Sequence, residues 1–236
     1  MAIETNTSTT SQPVKIWDVP TRLFHWTLVL GIAFMWFSGE MEDTSVWMPW
    51  HMSTGIFILA LVLFRIVWGV IGSDTDRFNH FLKSPRHALS HLGDLKGSNT
   101  AYHMGHNPLG AWMVIALLAT VLAQAMTGLF ASDDIMFEGP LYHLVSESTS
   151  GKLTGLHHLI FNFILALAFF HVAAIFYYRI KKRTNLVKAM VTGCADWPDC
   201  QPLDESAKTA KFASPWLALV VFIVIYAGVY GLLKVL

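Results

Sequence analysis

The sequence predicts an all-α integral membrane protein, and three observations carry the prediction. Five stretches are apolar over about the length of a membrane crossing. Only 14% of the 236 residues are charged, while 54% are hydrophobic. Lys and Arg gather on alternate connections between the apolar stretches. A soluble domain carries about 25% charged residues, so this composition, with a mean hydropathy of +0.48, excludes a disordered chain and argues against an ordinary soluble enzyme. Sixteen basic residues balance 16 acidic ones, which leaves no basic surplus for nucleic acid. Two Cys cannot build a disulfide framework.

A bilayer core asks for about 20 mostly apolar residues per helix. The candidates are Leu23–Ser38 (extending back to Pro20), Met52–Ile71, Leu109–Phe130, Leu156–Tyr178 and Phe212–Leu233. Residues 1–14 form a polar, Ser/Thr-rich tail with no basic region ahead of an apolar run. They read as a disordered tail rather than a cleaved signal. Residues 15–193 hold the first four spans, 194–211 read as a Pro- and Asp-containing inner loop, and 212–236 as a fifth, C-terminal transmembrane helix.

Orientation follows from the basic residues. Lys15 and Arg22 precede the first span. Arg77, Lys83, Arg86 and Lys96 follow the second. Arg179, Lys181, Lys182, Arg183, Lys188, Lys208 and Lys211 lie between the fourth and fifth. The loop 39–50 has no basic residue and the loop 131–155 has only Lys152, whereas Glu40, Glu42, Asp43, Asp133, Asp134, Glu138 and Glu147 lie there. The expected arrangement is multi-pass, with the N-terminus inside, on the cytoplasmic face, and the C-terminus outside. After Ser84, an N-cap, and Pro85, the stretch from His87 to Leu95 reads as a short amphipathic helix on the inner surface.

Eleven histidines are present, and an ionisable residue inside a span marks a functional site. His25 lies near the inner end of span one and His51 opens span two at its outer end. His157 begins span four outside. His171 follows fourteen residues later, about 21 Å deeper and close to four full turns on, hence on the same face. Depth therefore pairs His51 with His157 outside and His25 with His171 inside. Two stacked imidazole pairs fit the axial ligation of two b-type hemes. No C-x-x-C-H is present for covalent attachment. His158, about 100° round the helix from His157, is the alternative outer ligand. A proton-relay transporter would favour Asp or Glu inside the spans, and these spans contain neither.

Several stretches also resemble the bacterial cytochrome b561 and Ni,Fe-hydrogenase b-type cytochrome family. They are Trp17-Asp18-Val19-Pro20-Thr21-Arg22-Leu23-Phe24-His25-Trp26, His51-Met52-Ser53-Thr54-Gly55, Phe64-Arg65-Ile66-Val67-Trp68-Gly69, Gly105-His106-Asn107-Pro108-Leu109-Gly110-Ala111 and Thr127-Gly128-Leu129-Phe130. Ser132-Asp133-Asp134, Gly139-Pro140-Leu141, His157, His171 and the run Asn185–Gly193 continue the likeness over about residues 15–193. The resemblance implies a four-helix heme-binding bundle, a diheme cytochrome b domain, with electron transfer involving quinone. The fifth helix and the loop with Cys194 and Cys200 lie outside it.

Arg65 sits fourteen residues after His51, at about the depth of His171. A buried Arg needs an acceptor, and the spans hold no acid, so the expectation is a heme propionate or a quinone headgroup. A snorkelling Arg reaching inner-loop carboxylates or lipid phosphate is the alternative. Gly55, one turn below His51, fits either close approach of a heme plane or helix packing. His106 fits either a propionate or proton-uptake contact or a plain interfacial residue. His87 with His91, and Cys194 with Cys200, have ligand-like spacing but lack further ligands. Most of Trp17, Trp26, Trp47, Trp50 and Trp216 suit an aromatic belt.

The sequence thus points to a membrane cytochrome, an electron-transfer subunit more than a stand-alone enzyme. It would bind heme b (two per chain), sit among membrane lipid, use quinone as substrate, and meet an outer-side redox protein such as a c-type cytochrome or a hydrogenase or reductase subunit. The alternatives are a superoxide:quinone oxidoreductase and a heme-free transporter or anchor.

Overall fold

A computed structural model of the chain describes residues 11–96, 105–198 and 209–236. The fold is mostly helical. Helix α1 spans Val19–Gly39, α2 Thr44–Ile71, α3 Phe78–Phe81, α4 Pro85–Lys96, α5 Pro108–Gly128, α6 Glu147–Lys181, α7 Leu186–Thr192 and α8 Pro215–Val235. Four of them, α2, α5, α6 and α8, are long and apolar enough to cross a membrane. Helix α1 has the 21-residue length of α5, but Arg22 and His25 thin its apolar run, and it is not among the four.

Local chemistry sets the helix starts. Asp18 caps α1, its Oδ1 accepting from Thr21 N at 2.7 Å. Asn107 caps α5 through Gly110 N at 2.7 Å. Pro20 and Pro108 follow in the first turns, where no N–H is needed. Ser146 caps α6, so this helix starts nine residues before the apolar run, and α2 starts eight residues before its own. Apolarity marks where a helix enters hydrocarbon; the cap marks where it begins. Ser84 Oγ accepts from His87 N at 3.4 Å at the start of α4.

Helix α2 is the central one. It packs on α1, α5 and α8, while α5 packs on α6 and α4. Half of its apolar stretch is buried, against 6% for α6 and for α8, whose faces are left for lipid. Phe24, Ile58, Val62, Trp68, Leu118 and Ile164 form the middle of the core. The connections fall at two ends. At the basic end, Gly193 accepts from Ile16 N at 2.8 Å and Trp17 N at 3.1 Å. There Asp74 N also donates to the Lys211 carbonyl. At the acidic end, Ser150 Oγ donates to the Phe130 carbonyl.

Two segments differ from expectation. Ser11–Lys15, read as part of a disordered tail, is strand β1, and Cys194–Pro198, read as loop, is strand β2. They pair antiparallel with Val14 opposite Ala195. Neither has an alternation strong enough to mark a strand, and the partner lies about 180 residues away, so no local signal exists. Gly193 makes the junction. Its φ of +86° caps α7 in the left-handed region, and a Cβ there would lie 2.9 Å from the Trp17 carbonyl.

Candidate functional site

The two histidine pairs anticipated from depth face one another. The His51 and His157 ring centres are 6.5 Å apart, and those of His25 and His171 are 6.4 Å apart. All four rings are half-buried. His158 is exposed; it is His157 whose ring meets His51.

The outer pair is held in a defined tautomer on one ring. Ser38 Oγ donates to the Met35 carbonyl at 3.2 Å and lies 2.9 Å from His51 Nδ1. With the hydroxyl so committed, His51 Nδ1–H donates to Ser38, and Nε2 keeps its lone pair. His157 Nδ1 lies 2.9 Å from the Gln124 carbonyl and 3.2 Å from Thr127 Oγ1, which again leaves Nε2 as the acceptor. The Gln124 amide nitrogen sits 3.0 Å from that Nε2, while Gln124 Oε1 is buried without a partner. An amide with one end orphaned is poorly placed where it stands, and turning it away frees the His157 lone pair. In the inner pair, His25 Nδ1 is buried without a partner, and its ring stands edge-on to Trp26, 5.0 Å between centres.

Glycines make room. A Cβ on Gly128 would lie 2.9 Å from His157 Cε1, and one on Gly39 would lie 3.6 Å from His51 Cε1. Gly55 lines the cavity beside His51, and its Cβ would meet Met35 Cε at 3.5 Å, an ordinary contact. Both readings of Gly55 therefore find support, α1–α2 packing and an open face. The cavity, of about 300 Å³, lies between His51 and His157 and is also lined by Gln124, Phe161, Glu40, Asp133 and Glu138. Asp133 Oδ1 accepts from the N–H groups of Ile135, Met136 and Phe137. Those bonds hold its carboxyl below the ordinary range and keep it charged at the acidic end.

Sequence reasoning missed Ser38, Gln124, Thr127 and Gly128 as partners of the imidazoles. Gly128 alone left a signal, standing one residue after a Thr at the end of an apolar run.

Arg65 departs from expectation in its surroundings. It is 2% exposed, and both terminal nitrogens donate to the Asp76 carbonyl at 3.3 Å. Its guanidinium lies 5.2 Å from the Phe78 ring centre. The spans supply no acid, but the loop after α2 and the cap of α1 do: Asp76 and Asp18 are both buried beside it. The connection folds back over the end of α2, which the span alone does not foretell.

His106 packs against Trp17 and Phe81, with ring centres 4.6 and 4.8 Å away. Burial first, then the Arg65 charge, pushes its pKa down to about 3, so the imidazole is neutral. His87 is exposed and Cys194 is a half-buried free thiol. The His91 side chain and Cys200 lie outside the described residues. Among the described residues no group of three His, Cys, Asp or Glu could hold a metal ion on its own. Each histidine couple offers two imidazoles, and a heme iron would need no more from the protein.

The donor set fits heme. Two metal–imidazole bonds of about 2 Å, plus about 1 Å from each nitrogen to its ring centre, would span about 6 Å, so couples at 6.5 and 6.4 Å could each hold one iron between them. Helix α6 packs along α5 but makes no extended packing with α1 or α2, whose histidines it faces.

Apolar membrane helices carrying paired, inward-facing histidines are the build of a membrane b-type cytochrome. Residues 16–193 match the prokaryotic cytochrome b561 family, and the chain belongs to it. It is a multi-pass, heme b-binding membrane protein of electron transfer. No curated protein and no solved structure matches the chain.

Proposed function

We propose that the chain holds two b hemes, one between His51 and His157 and one between His25 and His171, and carries electrons between the quinone pool and a redox protein at the acidic end. The observation that carries this reading is the pair of imidazole couples, 6.5 and 6.4 Å between centres, borne at two depths of α6. Helix α1 joins α2, α5 and α6 as the fourth member of the heme-binding bundle and α8 is a fifth span. The basic end faces the cytoplasm of a bacterial inner membrane.

Heme supplies one-electron chemistry. The residues do the rest. His51 and His157 present Nε2 lone pairs fixed by Ser38 and by the Gln124 carbonyl. Mostly apolar cavity walls border them, and Gly39, Gly55 and Gly128 leave the space. Arg65 acts near the inner pair as a fixed positive charge rather than as a fork on a propionate, because its two terminal nitrogens already hold the Asp76 carbonyl.

Gly128→Val is expected to displace the His157 ring and remove the outer heme, with the inner one retained. Gly128→Ala, whose Cβ would stand 2.9 Å from His157 Cε1 and force the ring to shift less than valine does, weakens the same heme partially. Heme content of the two purified variants checks this; normal content in both means that Gly128 does not border the ligand.

Glu40, Asp133 and Glu138 at the cavity favour a partner with a basic surface and steer it in a salt-dependent way. The same carboxylates repel superoxide, which sets the superoxide:quinone oxidoreductase reading second. Under anaerobic conditions a ubiquinol or menaquinol analogue is expected to reduce the hemes of the full chain. Reduction by dithionite but by neither quinol would overturn the quinone half of the reading.

A further inference from the structure

The basic end holds a group of buried polar atoms that heme ligation does not use. Asp18 is 2% exposed and Asp76 is fully buried. Asp18 is satisfied. Its Oδ1 accepts from Thr21 N, and its Oδ2 accepts from Trp68 Nε1 at 3.0 Å and from Ser73 Oγ at 2.6 Å. Asp76 is held less well: its carboxyl meets the Asp18 carboxyl and the Thr21 hydroxyl, and neither of its oxygens has a donor in good hydrogen-bond geometry. A carboxylate cannot be left bare in the interior at this cost; it takes up a proton instead. Two carboxyls in one site repel as charges, and one shared proton relieves both.

We propose that Asp18 and Asp76 form a binding site for one exchangeable proton at the basic end, and that this proton accompanies the electron on the His25–His171 pair. The second half rests on the heme reading above.

The surroundings suit an exchangeable proton rather than a permanent one. Burial, and next the charge of Asp18, push the Asp76 carboxyl up to about 8, while Arg65 pulls it back. The other groups around the site are accounted for. Arg22 donates to the Asp18 carbonyl and to the Val191 carbonyl. Asp74 pairs with Arg77 and accepts from Lys211 N. Asp18 caps α1 seven residues, about 10 Å along the axis, before His25 on the same helix, and the neutral His106 ahead of α5 packs its ring 4.6 Å from that of Trp17, next to Asp18, so the acid site stands close behind the inner pair. Helix α8 is tied in through Ala213 N, which donates to Ser73 Oγ at 2.9 Å.

The step balances. One electron from a quinol or from the partner protein lowers the charge at the inner pair by one unit. Around and above the midpoint, where Asp76 is present in part as carboxylate, that carboxylate, now in a less positive field, takes one proton from the water phase at the basic end, forming an O–H bond. When the electron leaves, that bond breaks and the proton returns to water.

Infrared spectroscopy of the full chain reads the site without relying on activity. The expected spectrum has a protonated carboxylic acid band that disappears as pH rises through about 8 and is absent in Asp76→Asn, whose neutral amide stands where the neutral acid stood. Potentiometry should show the inner heme's potential falling with rising pH around the same midpoint. In Asp76→Asn that dependence flattens, while the outer heme's is unchanged. An acid band indifferent to pH and to both Asp76→Asn and Asp18→Asn overturns the proton site. An unaltered inner pH dependence in Asp76→Asn overturns its link to the electron. If the chain carries no heme, the heme reading fails and with it that link, and the titrating band on the same chain still decides the proton site.

Discussion

His51→Ala and His157→Ala are each expected to halve the heme content, removing one spectroscopic component and leaving the other, whereas His25→Ala and His171→Ala remove the component that survived. Each heme loses one of its two protein ligands, and alanine offers no lone pair. The selectivity follows from position: His157 and His171 share α6, but fourteen residues put about 21 Å between them along the axis. Each therefore works with a different partner, His51 on α2 and His25 on α1. Redox titration of the four variants checks the pairing. If His51→Ala and His171→Ala removed the same component, the pairing would be wrong.

Arg65→Leu is expected to destabilise the protein by about 3–5 kcal/mol, the cost of leaving a buried charge without its partner. The Asp18–Asp76 pair would keep its negative charge with the neighbouring guanidinium gone, and the Asp76 carbonyl would lose both donors. Leucine fills much of the volume, so packing is not the main loss. Arg65→Lys keeps the charge but cannot grip one carbonyl with two nitrogens, and its loss should be smaller. Where the leucine variant still folds, its inner heme should titrate at a lower potential, because a positive charge that favours the reduced centre has gone. Thermal unfolding of both variants in detergent measures the first effect. A leucine variant as stable as the unsubstituted chain would mean that Arg65 is not the counter-ion of this cluster.

The histidines were legible because two periodicities act on them at once. A helix fixes depth at 1.5 Å per residue and face at 3.6 residues per turn, so positions 157 and 171 constrain where partners can stand. Four of the five expected spans were legible from apolarity, though helices such as α6 start at caps like Ser146, outside the hydrocarbon run. What stayed hidden depends on contacts between distant segments. Strand β1 finds its partner only after the four long helices α1, α2, α5 and α6 have returned the chain to the basic end. The Ser38 and Gln124 contacts to the imidazoles arise across helix interfaces. Inner-loop carboxylates stood only as the alternative partners of Arg65, because its acids lie beyond the span ends, at Asp18 and Asp76, and enter when the loop after α2 folds over it.

The central claim is two noncovalent hemes per chain on four histidines. Pyridine hemochrome assay of the purified full chain, set against its protein concentration, tests it most directly. The account predicts two b hemes per chain, extractable by acid acetone and low-spin in both redox states. A ratio of one heme or none in fully folded protein would contradict it.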